Sequence, residues 1–345
     1  MKLLITTQKI DIDDPILGFF HRWIEEFAKQ FEFVTVICLE RGNYNLPANV
    51  KVLSLGKEHR HSRLEYLFNF YRCIWRERRN YDAVLVHMNQ EYILLSGLFW
   101  ILNGKKVFMW RNHHAGNFLT DLASLFCSKV FCTSKYSYTA KYKKTVLMPV
   151  GVDTEIFNSQ FPIPKVQNSI LFLGRIAPSK NVHIFVEVLG LLKKKGLNFS
   201  ASIYGNASPK EAVYFERLKL RARELGLENA LKFYAGIPNH KTPAIYNQYE
   251  IFVNLSSSGM YDKTIFEAMA CESLVLTSNL NLMGQIDNMF IFKENDEMDL
   301  SRKLKFLLEL DSKAIEKYGK ILRAYVVDRQ SLPLLARELF KHLTL

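Results

Sequence analysis

The stretch SSSGMYDKTIFEAMACESLVLTS, residues 256–278, places a polar turn, a short helical pattern and an apolar strand pattern in that order. Its serines and glycine favour a turn, and Asp262 is a residue type that caps helices, so Lys263 and Thr264 are predicted to lie in a first helical turn. The N–H groups of such a turn lack partners within the helix and lie at the positive end of its dipole, which suits them to a phosphate. Glu267, one turn later, could accept hydrogen bonds from ribose hydroxyls. The same letters also fit an ordinary buried helix.

A second segment, ILFLGRIAPSKN at residues 170–181, has the pattern of an apolar strand followed by a polar turn and the start of a helix. Arg175 and Lys180 therefore follow the end of the same strand. Ligands of parallel sheets bind beyond the carboxyl ends of the strands, and two cations there suit a pyrophosphate. The alternative is that both side chains are ordinary surface charges on a loop. Together the two segments predict a site for a nucleoside diphosphate.

Strand patterns recur along the chain, with helical patterns in most gaps, and this alternation predicts an α/β protein with parallel sheets. The 345 residues exceed a single typical core, so two domains are expected, at 1–150 and 151–328, followed by a helix at 329–345 that returns to the first domain. A linker with three prolines separates the two sets of strands. The predicted strands are 2–6, 33–38, 82–87, 105–110, 129–133 and 145–149 in the first set and 169–174, 198–204, 230–235, 250–255 and 273–277 in the second.

The two motif segments resemble the C-terminal half of the retaining glycosyltransferase family 4. Gly174, Arg175, Lys180 and Asn181 match its pattern G-R-x-x-x-x-K-(G/N), and the letters E-A-M-A that begin at Glu267 match the end of its E-x7-E helix. The resemblance implies the GT-B fold, in which two Rossmann-like domains face each other across a cleft. It also implies an enzyme that transfers a sugar from a nucleotide-diphosphate sugar to an acceptor hydroxyl.

Roles for single residues follow from this resemblance. Arg175 and Lys180 would bind the donor diphosphate, the N–H groups of Lys263 and Thr264 the distal phosphate, and Glu267 the ribose. Arg175, Lys180 and Glu267 are therefore assigned as catalytic, together with His113 of the first domain. Further donor-binding residues are predicted at Gly18, His114, Gly174, Gly205, Ile237, Gly259 and Asp262.

The chain departs from the family pattern at two positions. The first glutamate of E-x7-E would fall at position 259, where this chain has Gly259, and Glu272 stands where the family usually has glycine. Asp262, three residues on, is a candidate substitute for the missing carboxylate. The departures leave open a second hypothesis, a catalytically inactive GT-B protein that binds a nucleotide sugar or a partner enzyme. A sugar-nucleotide epimerase is a third and less favoured one, because the spacing of the motifs matches the transferases better.

Polar residues follow two strands of the first domain. The strand at 105–110 is followed by His113 and His114, and relatives place a histidine in this loop near the donor sugar. The alternative is a histidine that is packed and hydrogen-bonded within its loop. His87 and Asn89, after another strand, are predicted to bind the acceptor. No metal site is expected, since two adjacent histidines usually point in different directions.

Composition and the absence of certain motifs exclude several classes of protein. Hydrophobic residues make up 48% of the chain, and its formal net charge of +12 suggests an anionic partner. The chain has neither a G-x-G-x-x-G after its first strand nor a P-loop, which disfavours NAD and P-loop ATP chemistry, and no cofactor is expected. Its five cysteines are unlike a disulfide framework. The longest apolar run is too short to span a bilayer and the N-terminus is unlike a signal peptide, so a cytoplasmic protein is predicted.

One basic segment, HRHSRLEYLFNFYRCIWRERR at residues 59–79, has two interpretations. Apolar residues recur at helical spacing and arginines flank them, so the helix could lie on anionic lipid. It could equally pack on the sheet of the first domain with its arginines in solvent. The apolar positions are Leu64, Leu67, Phe68, Tyr71, Ile74 and Trp75.

The sequence thus predicts a metal-independent, retaining glycosyltransferase of polysaccharide or glycolipid synthesis. Its expected partners are a nucleotide sugar, a carbohydrate or lipid-linked acceptor and an anionic membrane surface, at the inner face of the membrane. No motif for nucleic acid is present. Because position 259 carries no carboxylate, attack of the acceptor from the leaving-group side is favoured over a covalent intermediate.

Overall fold

The computed structural model of the chain describes residues 1–60, 62–160, 164–256 and 261–344. The chain forms two compact units. The first comprises Met1–Gly151, Pro238–His240 and Leu332–Leu345, and the second Val152–Ile237 and Lys241–Ser331. Each unit contains one parallel sheet.

The first unit has a seven-stranded parallel sheet in the order β3-β2-β1-β4-β5-β6-β7. Its central strands are buried on both faces, which is why they are continuous apolar runs rather than alternating ones. Leu3 of β1 pairs with Val34 of β2 on one side and with Ala83 of β4 on the other. The strands are β1 Lys2–Ile10, β2 Phe33–Arg41, β3 Val50–Ser54, β4 Ala83–His87, β5 Lys106–Trp110, β6 Lys129–Cys132 and β7 Thr145–Leu147.

Helices cover both faces of this sheet. Successive residues of β1 pack alternately into the core on one face and the core on the other. Leu3 and Ile5 share one core with helices α1 and α11, whereas Leu4 shares the other core with α2, α3 and α4. Period-two alternation along a strand places these side chains on opposite faces. The helices of this unit are α1 Gly18–Ala28, α2 Arg63–Glu77, α3 Glu91–Leu102, α4 Phe118–Leu125 and α11 Leu332–Thr344.

The second unit has a five-stranded parallel sheet in the order β10-β9-β8-β11-β12. Helix α8 contacts β11, β12 and α10, and α5 contacts α6 and α9. The strands are β8 Val166–Leu173, β9 Ser200–Tyr204, β10 Leu231–Tyr234, β11 Tyr249–Asn254 and β12 Leu274–Thr277. The helices are α5 Val182–Lys194, α6 Ala212–Glu224, α7 Thr242–Tyr246, α8 Lys263–Ala270, α9 Glu297–Leu308 and α10 Ser312–Arg329.

The predicted α/β class with two parallel sheets is confirmed, and two local predictions were wrong. The first strand continues to Ile10, four residues beyond its predicted end at position 6, and Thr7, Lys9 and Ile10 still pair with β2. Strand β3 was missed because it is a short edge strand whose side chains are half-buried or exposed, and it therefore lacks a long apolar run. Among the described residues, no helix is both long and apolar enough to cross a membrane.

Candidate functional site

The carboxylate of Asp262 joins three segments of the second unit. Its Oδ2 atom accepts hydrogen bonds from Lys180 Nζ at 2.6 Å, Ser256 Oγ at 2.9 Å and Asn254 Nδ2 at 3.1 Å. Its Oδ1 atom accepts from the backbone N–H of Thr264 at 3.4 Å and from the Thr264 hydroxyl at 3.0 Å. The loop after β8, the end of β11 and the first turn of α8 thus meet at one side chain.

Asp262 is the N-cap of α8, as its residue type predicted. Burial alone would raise the pKa of Asp262, but the Lys180 ammonium and the hydrogen bonds from Ser256 and Asn254 hold that pKa well below its usual range. The carboxylate is therefore ionised throughout the physiological pH range. Five hydrogen bonds engage this carboxylate, and its role as a substitute for the acidic residue missing at position 259 stays a prediction.

A tight turn positions Lys180. The segment Pro178–Lys180 forms one 3-10 turn, and Asn181 follows with φ of 50°, in the left-handed region. Asparagine and glycine tolerate this conformation better than other residues, which explains why the motif has one of them at this position. The Asn181 side chain donates a hydrogen bond to Leu255 O at 3.1 Å and fixes the turn against the end of β11. Lys180 is thereby aimed at the first turn of α8.

Gly174 and Gly205 lie at the carboxyl ends of adjacent strands. A Cβ atom on Gly205 would lie 2.0 Å from the carbonyl oxygen of Gly174, so only glycine fits there. The Gly174 N–H donates to Tyr204 O at 3.0 Å. Close packing of β8 on β9 is sufficient to explain Gly205, and donor binding by either glycine stays a prediction.

Arg175 is exposed and does not belong to the group of residues that contact Asp262. Its charge acts on Glu211, in the turn that precedes α6. The hydrogen bond from Ser208 and the charge of Arg175 both lower the pKa of Glu211. The structure therefore brings Lys180, but not Arg175, to the start of α8.

Glu267 lies on the inner side of α8. It is 2% exposed, and its Oε2 atom accepts a hydrogen bond from the Tyr246 hydroxyl at 3.1 Å. Burial and the charge of Glu267 raise the pKa of Tyr246 well above its usual value, so this hydroxyl stays protonated and donates. Because so little of the carboxylate reaches solvent, ribose binding by Glu267 stays a prediction.

Lys263, the first residue of α8, is half-buried. Burial lowers the pKa of its ammonium group to about 7, although the charges of Glu267 and Asp153 oppose this shift. The side chain therefore lies near two carboxylates in a poorly solvated environment. A phosphate bound at the start of α8 would favour the protonated form.

An open cavity of about 460 Å³ lies beside the ends of β9 and β10. Its lining includes Gly205, Asn206 and Ala235, together with Phe215 and other residues of α6. Asn206 Oδ1 accepts a hydrogen bond from the Gly236 N–H at 2.9 Å and so connects the loops after the two strands. Ile237, predicted to contact the donor, follows in the second loop and is half-buried.

In the first unit, the loop after β5 is fixed by several hydrogen bonds. The rings of His113 and His114 are exposed and stack with centroids 4.5 Å apart. His113 Nδ1 lies 3.0 Å from Ala115 N, and His113 O accepts from Tyr138 N at 2.9 Å. Both imidazoles are accessible to a ligand, and their predicted roles stay predictions.

His87 is buried in the core instead of lying at the surface, because its ring stacks on Phe20 with centroids 3.9 Å apart. Its Nδ1 atom is 3.0 Å from the Thr7 hydroxyl. Asn89 is half-buried, so it is the more accessible of the two residues predicted to bind the acceptor. Gly18 is buried at the start of α1, and a Cβ atom there would lie 2.9 Å from Ile12 O.

Two further points concern the predicted site residues. Gly259 lies outside the described residues. Asn254, Ser256 and Tyr246 were not predicted, although they contact the Asp262 and Glu267 carboxylates. Asn254 and Ser256 could have been predicted as site residues, because they are the polar residues at the carboxyl end of the apolar run of β11.

The sequence was compared with protein families and with curated proteins. The sequence profile of the family described as "Glycosyl transferases group 1" matches residues 153–323. Over 148 residues the chain is 26% identical to mannosylfructose-phosphate synthase from Agrobacterium fabrum, a match that spans 39% of this chain and 32% of that protein. Over 209 residues it is 24% identical to the "Putative colanic acid biosynthesis glycosyltransferase WcaL" of Escherichia coli, spanning 57% of this chain and 50% of that protein. The matches therefore span half or less of the length of these curated relatives.

The fold was also compared with solved structures. The structure superposes on that of HepE from Anabaena, crystallised with UDP, with a TM-score of 0.79 at 17% sequence identity. The superposition covers 100% of each chain. HepE has also been crystallised with UDP and glucose and with UDP-glucose. The chain therefore has the GT-B fold, and its residues 153–323 match the family of group 1 glycosyl transferases.

Proposed function

We propose that this protein is a retaining, metal-independent glycosyltransferase of the family 4 type, which transfers a sugar from a nucleotide-diphosphate sugar to an acceptor hydroxyl. The observation that carries the proposal is the position of the Lys180 ammonium at the capped first turn of α8, inside the segment that matches the group 1 profile. A cation and a helix N-terminus at the carboxyl edge of a parallel sheet form a binding site for a diphosphate.

The same groups act on the transition state. As the bond between the sugar and the diphosphate breaks, negative charge builds on the leaving phosphate oxygen. Lys180 and the N–H groups of the first turn of α8 stabilise this charge, and a preorganised donor of this kind is worth about 3 kcal/mol. Lysine carries three N–H donors, and Asp262 and Ser256 accept two of them within the described part of the chain. The third is the donor that we assign to the phosphate.

The acceptor hydroxyl attacks from the side on which the diphosphate leaves. This route needs no carboxylate nucleophile, which agrees with a glycine at position 259 and with an Asp262 carboxylate engaged by its own neighbours. Arg175 is the residue with the freedom to move towards the donor, because its side chain is exposed. Exposure of His113 and His114 supports their assignment to the donor sugar.

The proposed setting is polysaccharide or glycolipid synthesis at the cytoplasmic face of a membrane, with a carbohydrate or lipid-linked acceptor. The name of the relative WcaL, which refers to colanic acid biosynthesis, supports a polysaccharide acceptor. UDP is the first donor nucleotide to test, since HepE binds UDP and UDP-glucose.

The decisive experiment measures donor turnover. Thermal-shift screening against UDP, GDP and ADP identifies the nucleotide, because a ligand at many times its dissociation constant raises stability measurably. The matching nucleotide sugars are then assayed for release of the diphosphate with and without a mixture of glycan acceptors. Binding of a nucleotide without turnover of any donor would contradict the proposed activity and support the second candidate.

That second candidate is an inactive GT-B protein that binds a nucleotide sugar or a partner enzyme. Gly259 and Glu272 are the departures that favour it. Glu272 has a structural explanation, however. Its φ of 57° is in the left-handed region, where glycine is usual, and its carboxylate accepts a hydrogen bond from Ser159 Oγ at 2.7 Å. The case for an inactive protein therefore depends on Gly259.

A further inference from the structure

The outer surface of helices α2, α3 and α4 exposes many large apolar side chains. On α2, Leu64, Phe68, Tyr71 and Trp75 form one stripe at helical spacing, and all four are exposed. The inner residues Phe70 and Ile74 of the same helix are buried in the core. Helix α2 therefore has two apolar faces, of which the sheet covers one.

Helix α3 has the same property in a stronger form. After Glu91, its residues contain no charge as far as Leu102, although its outer face is in solvent. Leu98 is 60% and Leu102 76% exposed, while Ile93 and Trp100 pack inwards. A helix that is apolar on all sides is normally buried in a core or in a membrane. At 12 residues α3 is too short to span a bilayer.

These helices form one continuous layer. The Tyr71 hydroxyl of α2 donates to Leu95 O of α3 at 2.9 Å, and the rings of Trp75 and Phe99 lie 6.1 Å apart. At Gly97 of α3, a Cβ atom would lie 2.8 Å from the Phe126 side chain at the end of α4. The exposed apolar residues of this layer are Leu64, Phe68, Tyr71, Trp75, Leu95, Leu98, Ile101, Leu102, Phe118, Leu119 and Leu125. We call this set the apolar face.

Cations border the apolar face. Arg63, Arg72, Arg76 and Arg79 are exposed on or beside α2, and the Arg78 guanidinium lies 4.3 Å from the ring centroid of Trp75. Glu65, the acidic residue of the α2 first turn, accepts a hydrogen bond from the Ser62 N–H at 2.6 Å in a capping box. The border along α2 is thus predominantly positive, and the chain as a whole has a net charge of +12.

We propose that the apolar face, with its arginine border, docks onto the surface of an anionic lipid bilayer. Leucine and aromatic side chains insert into the boundary between headgroups and acyl chains, and arginines bind the lipid phosphates. Aromatic residues such as Trp75 are typical of that boundary. Charge selects lipid over a second copy of the chain, because a symmetric dimer would place arginine borders against each other.

This inference rests on the surface alone and not on the proposed glycosyl transfer, so either can fail without the other. Its test uses the full chain and vesicles of phosphatidylcholine with and without phosphatidylglycerol. We expect the chain to sediment with the anionic vesicles at low salt, and binding to fall as salt is raised.

Two sets of substitutions separate the contribution of the apolar side chains to vesicle binding from that of the arginines. The triple variant F68S/L98S/L102S removes exposed apolar groups, and R72Q/R76Q removes exposed charges. We expect each to weaken vesicle binding about tenfold or more. Matched controls on the second unit are V213S/L220S/M298S, whose residues are similarly exposed, and K194Q/R217Q. These controls should bind vesicles as the unchanged chain does.

Fluorescence adds a readout of depth. Of the four tryptophans of the chain, Trp75 is 57% exposed, whereas Trp23, Trp100 and Trp110 are at most 4% exposed. Docking should therefore shift the emission of Trp75 to shorter wavelength and allow quenching by brominated acyl chains, and W75F should lose both signals. A chain that stays in the supernatant at low salt without a spectral change overturns the proposal. The proposal is also overturned if the unchanged chain is a dimer that binds no vesicles and if the F68S/L98S/L102S variant is a monomer.

Discussion

The Nζ atom of Lys180 lies 2.6 Å from Oδ2 of Asp262, so two segments 82 residues apart in the sequence meet at the N-terminus of α8. The Lys180 side chain is 23% exposed and that of Asp262 19%, so this is a partly buried pair whose Asp262 oxygen also accepts bonds from Ser256 and Asn254. Such a pair holds the ammonium group in place before a ligand arrives, which is the condition for effective electrostatic stabilisation.

The first prediction concerns acid stability. The pKa of Asp262 is lower in the folded chain than in the unfolded one, so its contribution to stability is complete above the unfolded value of about 4 and is lost as the pH falls below it. Asn is also a good helix cap, so D262N removes the charge and keeps the cap. We expect the free energy of unfolding of D262N to approach that of the unchanged chain as the pH falls from about 5 to about 2. Urea titrations measure it, and a difference independent of pH would contradict the assignment.

The second prediction concerns turnover. K180A should lower the rate of donor turnover about 100-fold or more, because it removes a donor from the developing charge on the phosphate. Its control is K194A, which removes an exposed lysine of the same unit. Circular dichroism and the thermal midpoint establish that both variants are folded. Equal turnover in K180A and K194A would exclude Lys180 from the reaction.

The third prediction concerns Glu267, whose buried carboxylate accepts a bond from Tyr246. E267A leaves that hydroxyl without its partner and should cost about 1–3 kcal/mol of stability. E267Q keeps an acceptor oxygen for Tyr246 and should cost less, while weakening any bond to ribose hydroxyls. Isothermal titration with UDP and with inorganic pyrophosphate distinguishes the roles. Loss of affinity for UDP but not for pyrophosphate in E267Q indicates ribose binding, and unchanged affinity for both indicates a purely structural role.

The fourth prediction concerns the turn after Lys180. Asn181 has φ of 50°, so N181A should be about 1–2 kcal/mol less stable than N181G, because alanine tolerates the left-handed backbone less well than glycine. Both variants remove the bond to Leu255 O, and the comparison therefore isolates the backbone term. The difference in the free energy of unfolding between N181A and N181G is the quantity to measure. Equal values would show that the turn does not hold this conformation.

The fifth prediction separates packing from ligand binding at two glycines. A Cβ atom on Gly205 would lie 2.0 Å from Gly174 O, so G205A should lose more than about 2 kcal/mol or fail to fold. A Cβ atom on Gly174 would meet only the Phe172 ring at 3.8 Å, which is an ordinary contact. G174A should therefore keep its stability within about 0.5 kcal/mol. Reduced UDP affinity in that folded variant would support donor contact at Gly174.

The sequence predicted those parts of the structure that depend on local patterns. Strands buried on both faces appear as apolar runs, and Asp262 was predicted as a helix cap from its type and neighbours. Pairing of Lys180 with Asp262 depends on tertiary structure, and no local pattern records it. Burial of His87 had the same cause, because Phe20, on which its ring stacks, lies far away in the sequence.

Helix α2 shows a second limit of prediction from sequence. Its apolar residues recur at helical spacing, but the same spacing fits one wide face or two faces. The prediction grouped Leu64, Phe68, Tyr71 and Trp75 with Ile74, and the structure separates them into a solvent side and a core side. Only the position of the sheet decides which side is covered.

Helix α11 has a consequence for synthesis. Leu335, Leu339 and Leu343 share a core with Trp23 and Phe27 of α1, although the whole second unit lies between them in the sequence. The first unit therefore cannot finish packing on the ribosome until residues 332–344 have emerged. Until then, the nascent chain exposes the apolar side of α1, where a chaperone can bind it.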